Sequence, residues 1–426
     1  MVVTRAADSA AQTLFNTISH KVANNVKNFP RYTCVQTIVR SQFQLPPVGS
    51  SCASAIANND RNAKSALLRW HDRLRLDVAV GERSEMYSWA GASQFEEGEI
   101  SELIGKGTSG SGEFGSFLVS VFGGDAQDFR YESEKETPDG KLALFSFVVP
   151  IAKSHYQYST STNRRTTVGY KGSFLADPET ADLRELDVQT EEFPPSDGVC
   201  RVEDKIQYGQ MKIGENTFML PKSASMDVVY RNATESLNET TFSGCREYGA
   251  ESTISFDVDE NGNPRSAAQK AELKPVPPKT HLHVRISPEI NSDKAAAGDP
   301  IVGVITAPVK VKGETIVRAG DKLHGRIVRL EQTMGASPRW TVAILFQTLE
   351  RNGTEEKISL KPVDDGDRSG SGTMGRGGGR RELEISPVNN APSITSERPA
   401  GGGIFSFAEP ANLILGSHFE SEWETR

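Results

Sequence analysis

The chain has 426 residues, beyond the length at which a single hydrophobic core stops growing, so two domains are expected. Hydrophobic residues make up 36% and charged residues 24%, too apolar for wholesale disorder and lean for a densely packed enzyme. The net charge of -8 comes without a clustered cationic face, which excludes nucleic acid as a main partner.

No run approaches the ~20 apolar residues that cross a bilayer, so no membrane span is expected. The opening residues MVVTRAADSAAQTLF contain no apolar h-region, and no signal peptide is visible in this sequence. Four cysteines, Cys34, Cys52, Cys200 and Cys245, lack CxxC spacing and read as two structural disulfides, which need an oxidising compartment. A periplasmic or extracellular location follows from that reading. Locality pairs Cys34 with Cys52 and Cys200 with Cys245, the latter closing a loop worth on the order of 4 kcal/mol in the chain-entropy model. The other two connectivities stay open.

Apolar residues at Leu14, Ile18, Val22 and Val26 recur every four positions and predict a helix over 9–26, stopped by Pro30. Thr33 to Arg40 is β-branched and nearly alternating, a strand broken at Pro46-Pro47. The Ser/Ala/Asn-rich stretch to Ala66 reads as a loop. Then ALLRW, RLRLDVAV and EMYSW are short strands in which Leu74, Leu76 and Val78 alternate with Arg73, Arg75 and Asp77. Phe95 to Ile104 and Phe114 to Phe122 read as two helices about a glycine-rich joint. Strands then follow at hairpin spacing, separated by turn signals such as Pro138-Asp139-Gly140 and Gly214-Glu215-Asn216. This pattern is an antiparallel meander, because a parallel sheet needs helices between its strands. The proline-rich LKPVPPKT, 273–280, is the expected linker between a domain over 1–272 and a second β domain over 281–426. Within the second, the Gly/Ser/Arg/Pro tract 364–403 cannot bury enough apolar surface to order itself, and the last two strands are expected to close a small barrel across it.

The order of elements over residues ~10–257 resembles the LolA and RseB type of lipoprotein carrier. The resemblance is carried by the first helix, YTCVQTIVR, RLRLDVAV, EMYSW, the helix pair, KGSFLADPETADLRELDVQ and NTFMLPKSASMDVVY. YTCVQTIVR, RLRLDVAV and EMYSWAGA are also similar to a group of exported proteins of acidobacterial type. The resemblance implies a curved antiparallel half-barrel wrapped on helices, whose concave apolar face holds acyl chains or senses a lipidated partner. VGVITAPVKVKGETIVRAGDKLHGRIVRLEQ resembles a small β-barrel segment of envelope and secretion-system proteins, which implies assembly or scaffolding. The fold class expected is therefore mainly β, an antiparallel half-barrel followed by a second small β-barrel.

Motifs that carry chemistry are sparse. Gly105-Lys106-Gly107-Thr108-Ser109-Gly110 matches GxGxxG but follows no strand, so a flexible joint, able to hinge a lid over an apolar cavity, is the reading rather than a nucleotide site. His281 and His283 share one strand face without a third metal ligand in sequence, and His71 reads as an edge residue. Glu96, Glu97, Glu99 and Glu102 read as helix-start carboxylates. GxSxG, HExxH, P-loop and EF-hand patterns are absent from the sequence, so no catalytic, metal or cofactor residue is assigned. Sequons at Asn232, Asn238 and Asn352 suggest exposed turns. Phe145, Phe147, Tyr156, Tyr158, Phe174 and Phe218 fall on the inward phase of their strands and are the candidate lining of a ligand cavity. The expected function is a non-enzymatic, extracytoplasmic binding protein for an acyl chain or lipoprotein. The alternative is a structural or assembly protein of the cell envelope acting on an envelope partner.

Overall fold

The computed structural model describes residues 3–29, 31–46, 51–57, 66–80, 85–92, 95, 100–104, 107–138, 140–159, 165–247, 273–363, 383–387, 402–408, 412–416 and 419–426. The chain divides into two compact units, one of 1–71, 76–88 and 92–248, the other of 72–75, 89–91 and 249–426. It is mainly β and antiparallel.

In the first unit, helix α1 (Val3–Lys27) is followed by strand β1 (Tyr32–Gln44), the short helix α2 (Cys52–Ala57), and strands β2 (Leu67–Val80) and β3 (Glu85–Trp89). Helices α3 (Ile100–Ile104) and α4 (Ser116–Phe122) precede seven strands of the main sheet: β4 (Gln127–Thr137), β5 (Gly140–Val149), β6 (Tyr170–Ala176), β7 (Leu183–Thr190), β8 (Val199–Ile213), β9 (Asn216–Tyr230) and β10 (Thr234–Glu247), with a separate small hairpin of Gln157–Ser159 and Arg165–Thr167 between β5 and β6. Neighbours pair in the order β4-β5-β6-β7-β8-β9-β10-β1-β2-β3. The meander thus runs consecutively from β4 to β10, and the first strand then docks on the last. With β3 and β4 left as edges, the sheet is an open half-barrel, the class the element order predicts.

Period-2 alternation decides which side chains enter. From Cys34 along β1 the buried residues are Cys34, Gln36, Ile38 and Arg40, and along β8 they include Val202, Asp204, Ile206 and Tyr208. α1 and α4 lie on the inner face, where Ile18, Val22, Leu118 and Val121 join Phe145, Phe147, Phe174, Leu186 and Ile206 in one core. Lys21 fastens α1 by an ion pair to Asp182 (2.7 Å) and a hydrogen bond to the Thr180 carbonyl (2.9 Å). Asn25 exchanges two hydrogen bonds with the backbone of Met219, meeting groups that would otherwise be orphaned.

Several expectations change. The disulfides join Cys34 to Cys245 and Cys52 to Cys200, so the local pairing is wrong. β1 and β10 are neighbours in the sheet, and Cys34 lies at an irregularity in their register, between Thr33 and Val35. α2, inside the stretch read as a loop, presents Cys52 to Cys200 in a small cluster with Ala55 and Val229. ALLRW and RLRLDVAV form one 14-residue strand. Of the helix expected over Phe95 to Ile104, Ile100–Ile104 is helical and Phe95 is not. Glu96, Glu97, Glu99, Gly105, Lys106 and Asp139 lie outside the described residues.

The second unit is built around strands β11 (His281–Ser287), β12 (Pro300–Ile305), β13 (Lys322–Thr333), β14 (Arg339–Arg351), β15 (Gly402–Phe407) and β16 (Glu420–Thr425). They pair antiparallel in the order β16-β11-β12-β13-β14-β15, which brings the last strand beside the first. Trp423, Phe346 and Phe405 pack together at its centre, fully buried. Leu383–Pro387 forms a further strand on β15, although it falls within the tract expected to stay unordered. The rest of that tract, including Arg376–Arg381, lies outside the described residues up to Gly402.

Candidate functional site

The concave face of the half-barrel carries a polar row where an apolar one would suffice for stability. Across four strands Asp204 stands opposite Met226, Met226 opposite Asn238, and Asn238 opposite Arg40. The adjacent row is Ile206, Ala224, Thr240 and Ile38. Asp204, Asn238 and Arg40 are all buried, and buried polar groups of this kind require partners.

For Asn238 and Arg40 a partner comes from the glycine-rich segment 107–114, which crosses the face as a strap. The Thr108 carbonyl accepts from Asn238 (3.0 Å) and from the Arg40 guanidinium (3.4 Å). Arg40 also sits 5.2 Å from the centre of the Trp70 ring, a cation–π arrangement. Further along, the Gly112 amide donates to a Glu85 carboxylate oxygen (3.1 Å) and Tyr208 donates to the Glu113 carbonyl (3.1 Å). The positive φ at Gly107 calls for glycine, and at both Gly107 and Gly110 the backbone runs close against the end of a side chain. A Cβ at Gly107, whose φ is +88°, would stand 2.8 Å from an Arg40 nitrogen, and one at Gly110 would stand 2.8 Å from the Met226 sulfur. The GxGxxG expected to act as a joint is therefore, over 107–110, a strap against the sheet.

Three carboxyl groups gather under and beside it. Glu85 accepts from the Tyr87 hydroxyl (2.6 Å) and Asp204 from the Tyr156 hydroxyl (2.8 Å). Burial raises the Glu85 carboxyl above its usual range against these hydrogen bonds. Burial pushes Glu113 up to about 8, with the Glu85 and Asp204 charges adding to it. Asp204 rises to about 7, again by burial, aided by Asp187 and Glu203. The same burial and the same carboxylates hold Tyr32, Tyr87, Tyr156 and Tyr208 in their protonated forms. A chamber of about 10 Å³ opens among Gln36, Glu113, Asp204, Met226, Asn238 and Thr240, about one water molecule in size. Glu113 Oε2 and Gln36 Oε1, both buried, have no hydrogen-bond partner among the described residues.

The six candidate cavity residues do not form one wall. Phe145 and Phe174 stack at 5.0 Å, and Phe147 lies 6.5 Å from Phe174. Phe15 of α1 and Phe122 of α4 close over them, at 6.1 Å from Phe145 and 5.2 Å from Phe174. Tyr156 stands between this cluster and Asp204, contacting Phe117 and Tyr170. Tyr158 belongs to a separate cluster with Phe193, and Phe218 packs on Phe29. At α4 the apolar surface continues outward, with Val119 54% exposed. An open cleft of about 510 Å³ lies elsewhere on the unit, lined by Ile151, Val168, Phe193, Pro194 and Pro195 with Glu191 at its edge.

Other sequence candidates resolve into structural roles. His281 and His283 share the exposed face of β11, and His281 is held by Glu422 (2.6 Å) and Glu424 (3.5 Å). No group of three or more metal-ligating side chains occurs among the described residues. Asn238 is not an exposed turn but a buried strand residue, whereas Asn352 occupies an exposed turn. The carboxyl trio was missed because no motif contains it. The available signal was phase: Asp204 alternates with Val202, Ile206 and Tyr208, and Glu85 with Tyr87.

No family model and no curated protein matches the chain. Among solved structures, it is similar to a DUF1329 family protein from Desulfovibrio piger, at 10% identity and a TM-score of 0.25, covering 56% of this chain and 94% of that one. It is also similar to a domain from Vibrio parahaemolyticus given the provisional description outer membrane lipoprotein-sorting protein, at 8% identity and a TM-score of 0.28, covering 57% and 94%. Both likenesses are distant, and neither carries an argument about function. No described helix is long and apolar enough to cross a membrane.

Proposed function

We propose that the first unit is a non-enzymatic, extracytoplasmic module that binds an apolar ligand, an acyl chain or a lipoprotein, on its aromatic concave face. The observation that carries this reading is the phenylalanine cluster of Phe15, Phe122, Phe145, Phe147 and Phe174 between the sheet and two helices. It is continuous through α4 with solvent-exposed Val119. An acyl chain sliding beneath α4 gains ~0.8 kcal/mol for each CH₂ it buries. Two disulfides with no free cysteine suit an oxidising compartment.

A second reading, a structural or assembly protein of the envelope, is favoured by one observation. α1 already fills the face, with Ile18 and Val22 fully buried, so the aromatic cluster serves as an ordinary core. Native mass spectrometry of protein made in an oxidising compartment, followed by titration with a fluorescent fatty acid, separates the two. A co-purifying apolar adduct, or saturable one-to-one binding that Phe174→Ala weakens, supports the carrier-like module. Fully oxidised, folded protein with neither adduct nor saturable binding overturns it in favour of the scaffold.

A further inference from the structure

We propose that residues 107–114 form a proton-operated strap, closed over the concave face while the carboxyl groups of Glu85, Glu113 and Asp204 hold protons and lifting when the group ionises.

The geometry supplies the mechanism. Glu85 and Asp204 are carried by strands β3 and β8, which are fixed in the sheet, whereas Glu113 is carried by the strap itself. Repulsion among three ionised carboxylates is therefore relieved by moving Glu113, and the segment that must move contains Gly110 and Gly112. The chamber beneath is about 10 Å³, too small for the hydration that ionised carboxylates need, so ionisation in place is costly. The two buried acceptors without partners, Glu113 Oε2 and Gln36 Oε1, face the same chamber. A proton on Glu113 turns one of them into a donor, and its loss leaves acceptors only.

The groups around Glu113 do not offset that charge. From β3 come Glu85 and Tyr87, and from β8 come Asp204 and Tyr208. Tyr156 stands on Asp204, on which Asp187 and Glu203 also bear, and Tyr32 of β1 faces Glu85. The cation on this face, Arg40, is engaged at the other end of the strap by the Thr108 carbonyl and the Trp70 ring. Arg40 and Asn238 thus hold one end of the strap at Thr108, and Phe114, fully buried against Tyr32 and Phe242, holds the other, so that the part that releases is the stretch between them with its Gly112 and Glu113 contacts to Glu85 and Tyr208. The strap's motion is read without any ligand, so this inference stands or falls apart from the apolar-ligand reading.

The test is hydrogen–deuterium exchange of the 107–114 peptide in the full chain from pH 6 to pH 9, corrected for the intrinsic rate, with Glu113→Gln beside the wild type. The expected result is a loss of protection of tenfold or more centred near pH 8, confined to the strap and abolished in Glu113→Gln. A smaller change in the wild type, or the same pH dependence in the variant, overturns the proposal. Should Glu113→Gln not fold, Asp204→Asn carries the expectation of a loss reduced by at least half, and an unaltered loss overturns it.

Discussion

Reducing or removing the Cys34–Cys245 bond should destabilise the first unit far more than a local bridge would. The bonded residues are 211 apart, and those of Cys52–Cys200 are 148 apart. In the chain-entropy model each bond taken alone constrains the unfolded chain by about 5 kcal/mol, against about 3 kcal/mol for a Cys34–Cys52 loop. The 52–200 loop is nested inside the 34–245 loop, so the two contributions overlap and their sum is an upper bound. The paired variant Cys34→Ser/Cys245→Ser is expected to lower stability by up to about 5 kcal/mol, with Cys52–Cys200 left intact. Urea melts followed by hydrogen exchange of first-unit peptides measure that loss without interference from the second unit. Connectivity itself is read by non-reducing digestion and mass spectrometry. Linked peptides carrying Cys34–Cys52 and Cys200–Cys245, or a variant within about 1 kcal/mol of wild type, would refute the argument that the bonds close the β1–β10 seam.

Two other outcomes follow from the same face. The carboxyls of Glu113 and Asp204 sit near 8 and 7 in the folded protein against ordinary values of 4.5 and 3.8, so between about pH 4 and pH 8 the folded state binds more protons than the unfolded one. The stability these two groups contribute is complete below about pH 4 and is lost as pH rises through 7 and 8, by on the order of 4 kcal/mol for one carboxyl and less than twice that for the two, because the Asp204 charge is itself part of what raises Glu113. Asp204→Asn is expected to flatten this dependence in urea melts at pH 5, 7 and 9, and a wild-type unit that gains stability over that window contradicts the assignment. Phe174→Ala, which empties a fully buried position stacked on Phe145, is expected to cost about 3–5 kcal/mol. A thermal melt of the first unit little changed by that substitution would mean the cluster is not packed as described.

The mainly β architecture was legible because alternation is a local property. RLRLDVAV and the strands from 140 onward announce their inward phase residue by residue, and the turn signals between them fall where the chain reverses. The disulfide partners were not legible, because sequence separation says nothing about which strands become neighbours. Cys34 and Cys245 meet only through the β1–β10 pairing, a consequence of the sheet closing on its own first strand. The candidate site was half legible. Phe145, Phe147 and Phe174 share a face as their spacing requires, yet Tyr158 and Phe218 belong to other clusters, since strands of different phase and twist carry them apart. Glu85 and Asp204 share the inward phase of their strands but belong to no motif, and Glu113, on an irregular segment, has no phase to announce it. The glycines at 107 and 110, read as a joint, bring the backbone close to the side-chain ends of Arg40 and Met226.

The seam between β1 and β10 also sets an order of events. β1 gains one neighbour, β2, soon after it leaves the ribosome or the export channel, but its other partner, β10, arrives some 200 residues later, so the half-barrel cannot close until nearly all of the unit has emerged. In that interval Cys34 and Cys52 are the closest thiols along the chain, and a bond between them is the natural first product of oxidation. Folding of this unit is therefore expected to depend on undoing an early, local bridge, which makes a thiol–disulfide isomerase, and not merely an oxidant, part of what the sequence demands of its compartment.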